Sequence, residues 1–187
     1  MSRPISAIRK SWLVGDDRGE AMIGFAFLIP VLMLISLGIL EFTLAVFDYH
    51  RAGEATRRGA RMAAISPPIA DVGGFVSGSV IECASSGGGV ICTGAAVADP
   101  SVFDAVVGEM RAILPAIQAG NVRITYSDSG LGDAATPGGI LPLVTVRLDG
   151  LVHRYLMLRG FPGFPDGITF PTFATNQLSS GFGAAAS

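Results

Sequence analysis

Residues 21–40 read AMIGFAFLIPVLMLISLGIL, twenty consecutive positions without a charged side chain. As an α-helix this stretch is about 30 Å long, the thickness of the hydrocarbon core of a bilayer. Apolar residues resume after Glu41 and continue to Phe47. A cleaved secretory signal has an apolar region of only ~7–15 residues and a small-residue cleavage site just after it, and neither condition holds here. The stretch therefore predicts a retained transmembrane helix over about 21–47, surrounded by the lipid bilayer.

The composition agrees with a membrane protein. Of the 187 residues, 50% are hydrophobic and 15% are charged, whereas about 25% charged residues is usual for a soluble domain. The formal net charge is −2, so the chain lacks the excess of positive charge that is typical of nucleic-acid-binding proteins. We therefore expect no nucleic acid among its partners.

The helix is expected to continue far beyond the apolar run, over 20–66. Residues 48–65 contain no helix breaker other than glycine, and the two prolines at 67–68 would end any helix. Small residues recur at spacings of three and four on one face of its outer half: Ala52, Ala55, Gly59 and Ala63. Such a face lets a neighbouring backbone approach closely. That neighbour is either the protein's own domain or another subunit.

Three residues within the long helix carry separate expectations. Pro30 removes one backbone donor, which favours a kink. Glu41 is either an acid deep in lipid that needs a partner, or an interfacial carboxylate that reaches water. Glu20 stands at the helix entrance, where the positive end of the helix dipole favours a negative charge.

Residues 67–178 predict a small α+β domain, in which one main helix covers an antiparallel sheet of three to five strands. The helix is expected to begin after Asp99, with Pro100 in its first turn, and to close at Gly120. Pro115 is expected to bend or shorten its last turn. Its apolar residues recur at helical spacing and must be buried: Phe103, Val106, Val107, Met110, Ile113, Leu114 and Ile117.

Alternation of apolar and polar residues predicts the strands of this domain. The candidate segments are, in chain order, a hairpin over 80–93, strands at 122–127, 144–149 and 151–158, and an edge strand within 168–176. The last residues, 179–187, are expected to form a flexible tail.

The two cysteines of the chain, Cys83 and Cys92, stand at the ends of the run CASSGGGVIC. The Gly-rich bend between them makes a disulfide geometrically easy, and such a bridge persists only in an oxidising compartment. Two reduced, buried thiols are the alternative. A zinc site is not expected, because His50 and His153 are isolated and far off in sequence.

Basic residues do not decide the orientation in the membrane, because four precede the helix and four closely follow it. The segment after the helix is much the larger, with about 140 residues against some twenty before it. Together with the cysteines, this size difference predicts a cytoplasmic leader over 1–19 and a C-terminal domain on the oxidising side.

The sequence lacks the common catalytic patterns, which predicts that the chain is not an enzyme. Neither histidine stands in a metal-ligand spacing such as HExxH, and the chain has no GxSxG turn. The glycines at 87–89 lack the lysine and hydroxyl of a phosphate-binding loop. We therefore expect no catalytic residue, no metal and no cofactor. Asp128 and Asp133 are candidates for calcium, but their spacing differs from an EF-hand, which favours a solvated loop.

Three pieces of the long helix, in this order and spacing, resemble the TadE/TadG-like family, whose members are pilin-like proteins of the bacterial tight-adherence (Flp) pilus and secretion system. The pieces are RGEAMIGFAFLIP at 18–30, GILEF at 38–42 and EATRRGARMAA at 54–64, within about a quarter of the chain. The ending PTFATNQL at 171–178 is similar to the closing strand of some members.

The resemblance implies a prepilin-type leader that ends at Gly19, with a prepilin peptidase cutting between Gly19 and Glu20. The first Glu-Phe of the family falls on Gly24 and Phe25, where this chain lacks the acid. The residues to which the resemblance and the helix pattern assign roles in helix assembly are Gly24, Phe25, Pro30, Glu41, Phe42, Ala52, Ala55, Gly59 and Ala63.

The function implied by the resemblance is that of a pseudopilin-like accessory subunit in the bacterial inner membrane, with its domain in the periplasm. It would act in pilus assembly and surface adhesion through helix packing. Its expected partners are other pilin-like subunits, the pilus assembly platform and the prepilin peptidase. The alternative is a membrane-tethered periplasmic binding module with no pilus role, which recognises a ligand through the loop 128–139.

Overall fold

A computed structural model describes residues 17–132, 140–160 and 162–179. The chain divides into two compact units, Met1–Thr43 and Leu44–Ser187. The long helix α1, Asp17–Ile65, supplies all the described structure of the first unit and the beginning of the second. Most of the predicted leader, 1–16, lies outside the described residues.

Helix α1 confirms the prediction of one long, continuous helix. It includes Pro30 without interruption, and it ends at Ile65, just before Pro67 and Pro68. Proline lacks the backbone N–H of a helix and disfavours helical geometry in the residue before it, so the helix cannot extend through this pair.

The second unit continues with one further α-helix, a short 3-10 turn and seven strands in the part of the domain that the structure describes. These are β1 (Val80–Ser85), β2 (Val90–Thr93), α2 (Pro100–Ile113), the 3-10 turn (Ala119–Asn121), β3 (Val122–Gly132), β4 (Ile140–Leu148), β5 (Val152–Arg154), β6 (Gly167–Thr169) and β7 (Phe173–Leu178).

Five of these strands form one antiparallel sheet in the order β2-β1-β3-β4-β7. The hairpin predicted over 80–93 is present as β1 and β2. The strands predicted at 122–127 and 144–149 are the centre of the sheet, as β3 and β4. The prediction of an α+β domain with a sheet of three to five strands is therefore confirmed.

Helix α2 begins as predicted but ends earlier. The Asp99 carboxylate accepts hydrogen bonds from the Ser101 hydroxyl at 2.6 Å and from the Ser101 backbone at 2.9 Å, which holds the pKa of Asp99 below its usual value. The prediction that the helix closes at Gly120 is wrong, because α2 ends at Ile113 and Leu114 is already extended. Pro115 is the physical reason, since proline disfavours the helical conformation in the residue before it.

The segment predicted as a third strand, 151–158, forms only the three-residue strand β5. It pairs with β6 in a separate two-stranded sheet instead of joining the main one. A β-carbon on Gly167 would collide with the carbonyl oxygen of His153, so glycine permits the close pairing of the two strands. The predicted edge strand is β7, which pairs with β4. Residue 179, assigned by the prediction to the flexible tail, is buried, and its hydroxyl donates to the Ala64 carbonyl at 3.2 Å.

The core lies between α2, the outer half of α1 and one face of the main sheet. Helix α2 contributes Val102, Phe103, Val106, Val107 and Met110, and strands β3 and β4 contribute Val122, Ile124, Tyr126, Val144, Val146 and Leu148. The period-two alternation of the strands thus places every second residue in the core, as the sequence pattern requires.

One buried hydrogen bond ties the sheet to the segment that follows α1. The Ile69 backbone N–H donates to the Tyr126 hydroxyl at 3.2 Å, and both residues are buried. Burial raises the pKa of Tyr126 above its usual value, so the phenol stays neutral. The Ile69 carbonyl accepts from the backbone of Ala98 and Asp99, so this residue links α1, β3 and the start of α2.

Replacement Tyr126→Phe is expected to lower the free energy of unfolding by about 1–3 kcal/mol, because the buried Ile69 N–H loses an acceptor. Urea denaturation of the full-length chain in detergent measures the loss. Tyr155→Phe is the control, since it removes a hydroxyl from a less buried tyrosine and should change stability by about 0.5 kcal/mol or less. Equal effects of the two replacements would contradict a structural role of the Tyr126 hydroxyl.

Candidate functional site

The first unit presents an almost wholly apolar helix surface. Its large apolar side chains are between 41% and 77% exposed: Met22, Ile23, Phe25, Phe27, Leu28, Ile29, Val31, Leu32, Met33, Leu34, Ile35, Ile39, Leu40 and Phe42. Leaving such a side chain in water forfeits about 1.5–3 kcal/mol relative to burial. By length and composition, this is the one helix in the described part of the chain that could cross a membrane.

The serine and threonine hydroxyl groups of the apolar part of α1 form hydrogen bonds within the helix itself. Ser36 donates to the Leu32 carbonyl and Thr43 donates to the Ile39 carbonyl, each at 2.8 Å. Lipid offers no partner for a polar group, and this internal bonding removes the need for one. The surface and its polar groups therefore both suit an apolar environment.

The residues predicted to register with neighbouring helices lie on this surface. Phe25 and Phe42 are exposed, and a β-carbon added at Gly24 would meet no atom within 4 Å. Gly19 is likewise in open space, and Glu20 belongs to α1 but its side chain lies outside the described part. Cleavage between Gly19 and Glu20 stays a prediction.

Glu41 does not reach water. Only 1% of the residue is exposed, although it follows twenty positions without a charge. Of the two expectations for Glu41, the interfacial carboxylate in contact with water is therefore not what the structure shows. Burial of an ionisable group is costly unless a hydrogen bond or an opposite charge compensates it.

The small-residue face of α1 packs against the protein's own domain. Ala52, Ala55 and Ala63 are buried in the domain core. A β-carbon at Gly59 would lie 2.8 Å from the Sδ atom of Met110, so the absence of a side chain there lets α2 approach α1. Arg58 and Glu109 join the same two helices through an ion pair of 2.6 Å. The structure thus selects the first of the two alternatives, and this face is covered within one chain.

A second contact between α1 and the domain was not predicted from the sequence. The Nδ1 atom of His153 lies 2.7 Å from the Oδ2 atom of Asp48, and the two residues are 105 positions apart. His153 is buried and stacks on Phe170 with the ring centroids 6.1 Å apart. The sequence predicts an isolated histidine at position 153, since no local pattern connects it with Asp48.

Aromatic side chains extend this contact. The Tyr49 ring meets Phe170 edge-on with centroids 5.8 Å apart and meets Phe173 at 4.9 Å. We call the group Asp48, Tyr49, His153, Phe170 and Phe173 the junction cluster. It fastens the two residues that directly follow the apolar run to β5, to the segment between β6 and β7, and to the first residue of β7.

The disulfide between Cys83 and Cys92 is present. The two residues face each other in the register of β1 and β2, with their Cα atoms 4.0 Å apart. The alternative of two reduced thiols is therefore not what the structure shows. A structural disulfide is characteristic of an oxidising compartment, which agrees with a domain outside the cytoplasm.

In the candidate ligand loop 128–139, the carboxylate of Asp128 takes part in hydrogen bonds within the domain. The Asp128 carboxylate accepts hydrogen bonds from the backbone N–H groups of Gly130 and Gly78 and from the Ser77 hydroxyl, and these bonds hold its pKa below the usual value. Asp133 and the rest of 133–139 lie outside the described residues. Among the residues that are described, no group of three or more His, Cys, Asp or Glu side chains is placed to hold a metal ion.

These features define a class of protein, in which a long apolar helix able to cross a membrane leads into a small, disulfide-containing α+β domain. A family model described as TadE-like protein matches residues 19–61, a segment that lies wholly within α1. This match confirms the resemblance to the TadE/TadG-like family over that segment. No curated protein and no solved structure matches the chain significantly.

Proposed function

We propose that the chain is a pilin-like accessory subunit of a tight-adherence pilus and secretion system, held in the bacterial inner membrane by α1. In this proposal the N-terminus is cytoplasmic and the α+β domain is periplasmic. The observation that carries the proposal is the TadE-like match over 19–61. This segment includes the whole exposed apolar surface of α1, as well as much of the part of α1 that packs in the domain.

The domain supports the same proposal through its chemistry. The disulfide between Cys83 and Cys92 suits the oxidising periplasm. The small-residue face of α1 is already buried within the chain, so contact with other pilin-like subunits and with the assembly platform falls to the exposed surface from Met22 to Phe42. The chain acts by packing in this proposal, without catalysis and without a cofactor.

The decisive experiment exchanges the membrane segment. A deletion strain is complemented with the native chain or with a chain whose residues 21–47 are replaced by an unrelated transmembrane sequence of equal length. The native chain should restore pili and surface attachment, whereas the exchanged chain should reach the membrane but leave both near the level of the deletion strain.

Two results would contradict the proposal, provided that immunoblots show equal amounts of both chains in the membrane fraction. A deletion strain with normal pili and attachment would exclude a role in assembly. Full restoration by the foreign segment would show that α1 is only a tether, and it would favour a membrane-tethered binding module that acts through its domain.

A further inference from the structure

The hairpin formed by β5 and β6 carries apolar side chains that the core does not use. Leu156 is 71% exposed, Phe164 is 50% exposed, and the two strands add Val152 and Ile168 at 47% and 45%. Two exposed arginines, Arg154 and Arg159, lie along the same segment of chain. We call the described residues of 152–169 the apolar hairpin.

The apolar hairpin is fastened to the end of the apolar run of α1. His153 of β5 lies 2.7 Å from Asp48, the residue that ends the run. Phe170, which directly follows β6, packs edge-on against Tyr49, with 5.8 Å between the ring centroids. Both ends of the hairpin are therefore attached to two consecutive residues of α1.

Asp48 and Tyr49 have a defined depth when α1 spans a bilayer. Residues 21–47 make a helix of about 40 Å, which matches a bilayer including its headgroup regions. Asp48 and Tyr49 then lie among the headgroups. The neighbouring Arg51 guanidinium stands 5.3 Å from the centre of the Phe47 ring, and tyrosines such as Tyr49 are enriched at the membrane–water interface.

We propose that the apolar hairpin is a second membrane contact, which lies in the headgroup region of the membrane that α1 spans, on the side of the domain. Leu156 and Phe164 enter the boundary between headgroups and acyl chains, and Arg154 and Arg159 bind lipid phosphates. This inference rests on the membrane anchoring in the proposed function. It goes beyond that function because it assigns a lipid-binding surface to the domain itself.

Continuity with the anchor is the reason for naming lipid as the occupant. The junction cluster holds the hairpin at the residues that directly follow the apolar run and lie at the depth of the headgroups, so lipid is the apolar material next to it. Exposed apolar side chains beside basic residues are also found in interfacial elements that bind anionic membranes, and the two arginines of the hairpin outnumber its one described carboxylate, Asp166. A second copy of the chain, the other candidate for this surface, is an outcome of the test.

The test uses tryptophan fluorescence of the full-length chain in nanodiscs that hold one copy and contain lipids brominated at shallow acyl positions. Trp12, the one tryptophan of the chain, is replaced by phenylalanine, and a single reporter is then introduced. Leu156→Trp reports on the hairpin and Phe27→Trp reports on the membrane segment. Ile91→Trp is the matched control, because Ile91 is 55% exposed on β2, at the opposite edge of the sheet from β7.

Interfacial side chains reach about 5–10 Å into the headgroup and acyl boundary, so shallow bromines should reduce the Leu156→Trp emission by about half. The Ile91→Trp emission should stay unchanged, and acrylamide should quench it more strongly than that of Leu156→Trp. Anionic lipid should strengthen the bromine quenching at position 156. Replacing both Arg154 and Arg159 by glutamine should abolish that increase.

Each contrary result has a distinct meaning. Quenching of Phe27→Trp together with equal, weak quenching at positions 156 and 91 would overturn the hairpin contact and leave the anchoring intact. Absence of quenching for Phe27→Trp would overturn the anchoring and the hairpin contact with it. Shielding of position 156 only in discs with two copies would assign the surface to a second copy and overturn the lipid contact.

Discussion

Replacement Gly59→Leu is expected to lower the free energy of unfolding of the domain by about 3 kcal/mol, at the upper end of the usual cost of overpacking. The reason is steric, since a β-carbon at this position already lies 2.8 Å from the Sδ atom and 2.9 Å from the Cγ atom of Met110. Met110 is fully buried, so its side chain has little space into which to move. Denaturation of the full-length chain in detergent, followed by circular dichroism, measures the loss.

Gly53→Leu is the matched control, because it lies in the same helix and a β-carbon there meets no atom within 4 Å. Removing a helical glycine at this site should stabilise the chain, by up to about 1 kcal/mol. The double variant Gly59→Leu with Met110→Ala should lose less stability than the sum of the single variants, since the smaller residue makes room. A Gly59→Leu variant as stable as the native chain would contradict the close packing of α1 on α2.

Loss of the disulfide is expected to lower the free energy of unfolding by about 3 kcal/mol on the chain-entropy model for a loop of this length. Cys83 and Cys92 are nine positions apart, and Cys83 is fully buried on strand β1. The midpoint of urea denaturation should therefore fall when a reductant is added, with β1 and β2 the first part of the sheet to lose order.

The double variant Cys83→Ala with Cys92→Ala separates the bridge from other effects of the reductant. It should unfold at a lower urea concentration than the native chain, and reductant should not shift its midpoint further. A native chain whose midpoint is the same with and without reductant would contradict a stabilising role of the bridge, as would a double variant as stable as the oxidised chain.

Most of the local structure followed from the sequence because it depends on residues close together in the chain. The α1 helix, the capping of α2 by Asp99, the β1–β2 hairpin and the central strands β3 and β4 all reflect spacing and turn chemistry. The end of α2 was the main error. Pro115 was expected only to bend or shorten the last turn, whereas it stops the helix at Ile113, because a proline also constrains the residue before it.

The candidate site was only partly predictable, because some of its contacts join residues that are far apart in the sequence. The apolar surface of α1 and the two cysteines are visible in the sequence. The junction cluster is not, because the residues in contact, Asp48 and His153, are 105 positions apart and no periodicity links them. The exposed hairpin could not be predicted either, since LVHRYLML has the composition of a buried strand. In the structure it contributes only β5, which pairs with β6 in a separate two-stranded sheet.

A long apolar helix followed by an α+β domain can be predicted from local sequence patterns alone, because twenty uncharged residues and the alternation of two strands leave few other structures. What the outer half of that helix contacts depends on how the whole chain folds. A face of alanines and a glycine suits any close neighbour, and the identity of the neighbour depends on where the chain brings Met110. Here α2 of the same chain fills the position, so the small-residue face is a core surface and not a free one.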